Sequence, residues 1–150
     1  MTSPSKTRDV FAQNLKNLRI EAELSQERLS KLAGLGRNVV GRIERDAPNV
    51  RLDTVAKLAA VLKVDECVLV STRPFGNTKQ EDRPPVGDRV AANLKSLRGR
   101  RRVSQEQLSE AASLARNAIY KLESLQFQAT LNTLDAIAEA LDAPAWMLLA

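Results

Sequence analysis

The chain contains itself twice. Residues 11–70 and 90–149 align without a gap at a fixed offset of 79, which sets Ser104 over Ser25, and 21 of the 60 pairs are identical. The identities come in blocks. Asn14-Leu15-Lys16 matches Asn93-Leu94-Lys95, Leu18-Arg19 matches Leu97-Arg98, and Ser25-Gln26-Glu27 matches Ser104-Gln105-Glu106. Arg37-Asn38 matches Arg116-Asn117, and Glu44 matches Glu123. A long repeat makes each copy one structural unit, whatever the total length suggests. The 150 residues therefore divide into a first unit at 8–70, a linker at 71–89 and a second unit at 90–150. Units of this size sit near the lower limit for an autonomous core, so packing of one on the other is an open alternative to two separate domains.

Both units read as all-helical. Phe11, Leu15, Leu18 and Ala22 fall on one stripe of a helix. Ser25 suits the N-cap of a second helix, with Glu27 in its positively polarised first turn. Leu29, Leu32 and Ala33 supply its buried side, and Gly34 suits the left-handed residue that ends it. A third helix is expected from about Gly36 to Arg45 with Val40 and Ile43 inward, a turn at Ala47-Pro48-Asn49, a fourth helix over about Asp53 to Leu62, and a fifth from near Asp65. The second unit repeats the plan. Ser104 and Gln107 complete a capping box that Arg28 leaves incomplete in the first unit. Ser113 replaces Gly34, which predicts a slightly strained turn, and Pro144 fits the first turn of the last helix. The segment between the units, with Pro74, Gly76, Pro84, Pro85 and Gly87 among polar residues, has linker composition and is expected to constrain their placement only loosely.

Composition narrows the function. The net charge is +5, about what a small nucleic-acid binder carries, and both halves are net positive. There is no histidine and one cysteine, Cys67, inside the apolar run Cys67-Val68-Leu69-Val70. That excludes an intramolecular disulfide, leaves a zinc site short of ligands, and makes Cys67 a small buried hydrophobe. No phosphate-cradling glycine loop and no nucleophile beside a base is present, so an enzyme is not expected, nor any cofactor or metal. The polar start and the lack of an apolar run near ~18 residues argue against a secretory signal or membrane span. The chain reads as cytoplasmic, with no membrane partner.

The segment from Leu24 to Arg45, LSQERLSKLAGLGRNVVGRIER, and its copy from Val103 to Ser124 carry the chemistry. With Val40 and Ile43 inward, Arg37, Asn38, Gly41 and Arg42 face outward, and Arg116, Asn117, Tyr120 and Lys121 do so in the second unit. Arginine can bond guanine O6 and N7 together, and asparagine can do the same with adenine N6 and N7. Cap, glutamine, turn, outward helix and glutamate in one register resemble the helix-turn-helix family of the lambda-repressor and Cro type, over both units. The resemblance implies two tandem five-helix, all-α units joined by a linker. It implies base contacts from these outward residues, Arg37, Asn38, Arg42, Arg116, Asn117 and Lys121 above all. Gln26 and Gln105 would bond a phosphate and brace the reading residues. Lys16, Arg45, Lys95 and the Arg100-Arg101-Arg102 run, Arg102 included, are further phosphate candidates; each is otherwise a solvated surface charge. Arg19 with Glu44, and Arg98 with Glu123, would be structural ion pairs tying the first helix to the third.

The function expected is a sequence-specific, double-stranded-DNA-binding transcription regulator, a repressor in the favoured sense, reading two related half-sites. Its assembly stands open between an intramolecular pseudo-dimer and a homodimer through the terminal helices, where Trp146, Met147, Leu148 and Leu149 either form an interface or fill the core. The alternative is a protein-interaction regulator, an antiactivator or antitoxin, in which one or both units bind a partner protein. The second unit, with its lower charge and its Tyr120 and Phe127, suits that role better.

Overall fold

A computed structural model describes residues 6–72 and 83–150. Most of the expected linker, 73–82, lies outside the described residues. Among those described, the first unit has α1 (Thr7–Glu21), α2 (Gln26–Leu32), α3 (Val39–Asp46), α4 (Leu52–Leu62) and α5 (Glu66–Val70). The second has α6 (Val86–Arg101), α7 (Gln105–Ala111), α8 (Ala118–Glu123), α9 (Leu131–Ala140) and a closing 3-10 turn, Ala145–Leu148.

Local chemistry ends these helices where the sequence signals stand. The Ser25 hydroxyl accepts from the Arg28 amide at 3.0 Å to start α2. Ser104 and Gln107 close a reciprocal capping box on α7, at 3.0 and 2.9 Å. Gly34 takes φ +70° after α2, and Ser113 is held at φ 56° in the same turn of the second unit, the left-handed region where a Cβ is disfavoured. Pro144 stands one residue earlier than expected, as the N-cap of the closing turn.

Further expectations are corrected, among them the burial of Leu32, which is 47% exposed. The third helix begins at Val39, not near Gly36, so Arg37 and Asn38 occupy the turn that leads into it. The first helix of the second unit begins at Val86, inside the stretch read as linker to residue 89. Val86 and Arg89 are buried, and their burial favours helix over open chain.

The units share one hydrophobic core rather than two. Phe11, Leu15, Leu29, Val40 and Leu58 of the first belong to the same buried cluster as Leu94, Leu108, Ile119, Leu134 and Leu148 of the second. Side-chain packing, not the linker, therefore sets their placement. The junction follows the repeat. Arg51 and Thr130, the same position of each unit, form an antiparallel bridge. The Leu52 amide donates to the Ala129 carbonyl and the Leu131 amide to the Val50 carbonyl, each at 2.9 Å. α1 packs on α9 as α4 packs on α6, and α5 packs on the closing turn, its own counterpart. Cys67 and Trp146, again one position, meet with Sγ 3.8 Å from the Trp146 carbonyl oxygen. Leu148 and Leu149 are buried, Trp146 packs partly buried against the core, and Met147 stays exposed.

Polar latches at the junction break this symmetry. Asp135 of α9 accepts from the Thr7 amide at 3.0 Å and from the Thr7 hydroxyl. The repeat counterparts of these two residues are Ala56 and Val86, which face an open cleft without a polar link. On that side Arg89 instead ties α6 to the first unit. Its guanidinium donates to Glu66 Oε2 at 2.6 Å, lies 3.5 Å from Asp65 Oδ1, and bonds the Leu149 carbonyl. Arg83 also pairs with Asp65.

Candidate nucleic-acid interface

Each unit builds its outward surface from the start of its third helix. In the first unit, Arg37 and Asn38 stand exposed just before α3, and Arg42 is exposed one turn further on. Arg116, Asn117, Tyr120 and Lys121 are likewise exposed around the start of α8, while Gly41 is half-buried. The turn and first helical turn thus bring the sequence-derived residues together on one small surface in each unit.

Asn38 and Asn117 hold the N-cap positions of α3 and α8, yet neither side chain caps its helix. An asparagine there ordinarily accepts from the amide two or three residues on. The nearer of the two amides is already taken in each unit. The buried Ser30 hydroxyl accepts from the Val40 amide at 3.0 Å, and Ser109 accepts from the Ile119 amide at 3.3 Å. A serine on the preceding helix therefore caps the outward helix and leaves the asparagine amide available to a ligand. Sequence reasoning missed Ser30 and Ser109. Their identity across the repeat, inside an apolar helix face, was the available signal.

Arg37 Nε lies 3.2 Å from Glu27 Oε1, and Arg116 Nε lies 3.4 Å from Glu106 Oε1. These pairs are well exposed, so they are weak and restrain the guanidinium without neutralising a buried charge. Arg19 and Glu44 differ in kind. Nε and Nη2 of Arg19 donate to the two carboxylate oxygens at 2.7 and 2.9 Å, and Nη1 donates to the Leu24 carbonyl at 2.8 Å. The Glu44 hydrogen bond raises the Arg19 pKa further. Arg98 repeats the pattern with Glu123, both bonds at 3.0 Å, and with the Val103 carbonyl at 3.1 Å. Each such fork clamps the first helix of its unit, the loop before the second and the third helix into one body.

Gln26 opens α2 and is exposed, and its amide donates to Glu44 Oε1 at 3.2 Å. Gln105 opens α7 half-buried. Lys16, Lys95 and Arg102 are exposed, Arg102 as the left-handed C-cap of α6. Arg45 is exposed and pairs with its neighbour Asp46 at 3.2 Å. Asn14 and Asn93, repeated but given no role from sequence, tie the first helix of each unit to its last segment. Asn14 donates to the carbonyls of Val68, Leu69 and Ser71, and Asn93 to those of Leu148 and Ala150.

Among the described residues no helix is long and apolar enough to cross a membrane, and no cluster of metal-ligating side chains forms. Two short helices packed at a turn, with exposed arginine and asparagine at the start of the second, define a DNA-binding helix-turn-helix protein. The chain matches the helix-turn-helix family over residues 15–69 and again over 94–145, and it belongs to that family, in two tandem copies. It is 33% identical over 70 residues to the control protein C.SmaI of Serratia marcescens, covering 47% of this chain and 83% of that protein. It is 32% identical over 73 residues to the control protein C.BamHI of Bacillus amyloliquefaciens, covering 48% and 90%. It is 34% identical over 62 residues to the cryptic phage CTXphi transcriptional repressor RstR of Vibrio cholerae, covering 41% and 56%. No solved structure matches the chain.

Proposed function

We propose that this DNA-binding transcription regulator works as a single-chain pseudo-dimer, reading two inverted, related but non-identical half-sites and acting as a repressor. The observation that carries the reading is the junction at Arg51 and Thr130, where identical repeat positions pair antiparallel with reciprocal hydrogen bonds. Such pairing is the signature of a two-fold relation. A two-fold relation between two reading surfaces calls for inverted half-sites. Each reading surface lies within about 30 Å of chain from the bridge, counting an extended loop and one short helix. Half-sites one helical turn apart, about 34 Å, need only about half of the combined reach. The regulatory role draws support from the relatives named control proteins and transcriptional repressor.

In this reading Arg37, Asn38 and Arg42, with Arg116, Asn117 and Lys121, contact base edges. Gln26, Gln105, Lys16, Lys95, Arg45 and Arg102 contact phosphates. The test is duplex binding measured against salt, with a duplex selected from a random pool. Affinity should fall steeply with salt, with a log–log slope of about 0.9 per phosphate contacted. One chain should occupy one duplex in sedimentation, and Ala substitution at Arg37 and Asn38 or at Arg116 and Asn117 should abolish selectivity in one half-site each. Failure to bind any duplex at low salt rules the reading out.

A second reading has its own observation. Leu125 and Phe127 are 57% and 45% exposed on the loop after α8, where the first unit carries Asp46 and Pro48. That surface suits a partner protein at the second unit, and duplex binding unchanged by the substitutions at Arg116 and Asn117 would favour it.

A further inference from the structure

The two reading surfaces differ most at the third residue of their outward helices, Gly41 in α3 and Tyr120 in α8. In the first unit that space belongs to Gln26. A Cβ on Gly41 would meet Gln26 Oε1 at 3.1 Å, and the Gln26 amide is itself bonded to Glu44 at 3.2 Å. Any side chain at 41 would press on a glutamine that is already anchored. The second unit is arranged otherwise. Tyr120 is 52% exposed, and the half-buried Gln105 makes no bond to Glu123 to match that of Gln26 to Glu44. Tyr120, Gln105, Glu106, Arg116 and Asn117 together line a surface notch of about 370 Å³.

Resting on the DNA-reading role proposed above, we infer that Tyr120 gives the second unit a thymine-reading contact that the first unit lacks. The notch sets an aromatic ring beside the arginine and asparagine that face base edges. Its polar rim is partly spoken for, since Glu106 restrains Arg116 at 3.4 Å. An apolar group that covers the exposed ring gains by burial, and the one apolar group on the major-groove edge of a base pair is the thymine 5-methyl. Gly41 has no side chain to offer, so the half-site of the first unit is blind to that methyl at the equivalent base. The two half-sites therefore differ by a thymine requirement on one side only.

The experiment starts from a duplex selected by the full chain from a random pool. Each thymine is replaced in turn by deoxyuridine, which removes the methyl and nothing else, and binding is measured for the wild-type chain, Tyr120→Ala and Tyr120→Phe. The wild type should lose about fourfold in affinity at one position of one half-site, the worth of a buried methyl. Tyr120→Ala should be weaker throughout and indifferent to the substitution. Tyr120→Phe should keep the sensitivity, because the ring and not the hydroxyl makes the contact. Tyr120 is exposed, so these variants fold; circular dichroism verifies it. Equal binding to every deoxyuridine duplex, a sensitivity that survives Tyr120→Ala, or one lost in Tyr120→Phe overturns the inference while leaving DNA reading intact. A chain that binds no duplex overturns both.

Discussion

Arg51 and Thr130 occupy the same place in the two repeats and face each other across the junction of the units. Their neighbours exchange two hydrogen bonds of equal length, so the backbone satisfies itself across the dyad as it would at the interface of a symmetric dimer. In the single-chain pseudo-dimer proposed above, fusion of the halves would remove the need for two molecules to meet. It also frees each half to change alone, and the latches of Thr7 with Asp135 and of Arg89 with Glu66 have no counterparts across the dyad.

Glu44→Ala should destabilise the chain by about 3 kcal/mol, because it strands Arg19 in a largely desolvated position. Adding Arg19→Ala should cost less than the two single changes summed, since the pair is lost only once. Urea denaturation of the two single variants and the double variant measures this. Full additivity would mean that the two side chains do not act on each other.

Ser30→Ala should leave the buried Val40 amide without an acceptor and cost about 1–3 kcal/mol. Asn38 holds the N-cap position and carries a side-chain oxygen able to accept that amide, so its side chain should turn back onto α3. The expected result is a loss of duplex selectivity larger than the loss of stability explains. A variant of reduced stability with unchanged selectivity would count against the division of labour between Ser30 and Asn38.

Acid should weaken the junction at a definable point. Burial opposes ionisation of Asp65, but the Cys67 amide bonded to Oδ1 and the charges of Arg89 and Arg83 outweigh it, and the pKa lies below the ordinary carboxylate value. A depressed folded pKa contributes stability that is whole above the unfolded value, about 3.9, and is lost as pH falls through the folded one. Asp65→Asn should therefore be less stable than wild type at neutral pH, and the gap should narrow below about pH 4. Denaturation midpoints at pH 7 and pH 3 give the comparison. A gap that stays constant would place the effect in packing rather than charge.

Cys67 should resist alkylation. Burial of its thiol, reinforced by the nearby Asp65 charge and hydrogen bond, pushes its pKa up to about 12. The thiolate is the reactive form, so iodoacetamide at pH 8 should label the native chain far more slowly than the chain in denaturant. Equal rates would mean that the junction opens readily.

Much of this protein was legible along the chain. The repeat, the apolar stripe of α1, the extent of α4, the Ser104–Gln107 capping box, the glycine turn and the exposed arginine and asparagine follow from spacing and side-chain chemistry, because they depend on residues within a few turns of one another. The start of α3 was misplaced by three residues, since its cap comes from Ser30, a buried hydroxyl eight positions upstream of Asn38. Nothing local announces such an acceptor.

The sequence by itself determined that there are two copies of one helix-turn-helix unit, since the repeat aligns without a gap, and which side chains of each third helix turn inward, since helical periodicity settles that. Only the tertiary structure decided how the copies meet. A polar linker specifies no orientation, whereas burial of Val86, Leu148 and Leu149 in a common core, with the exchange of amides and carbonyls around Arg51 and Thr130, permits one. Contacts between residues some eighty positions apart carry that information, and they exist only once both units have folded.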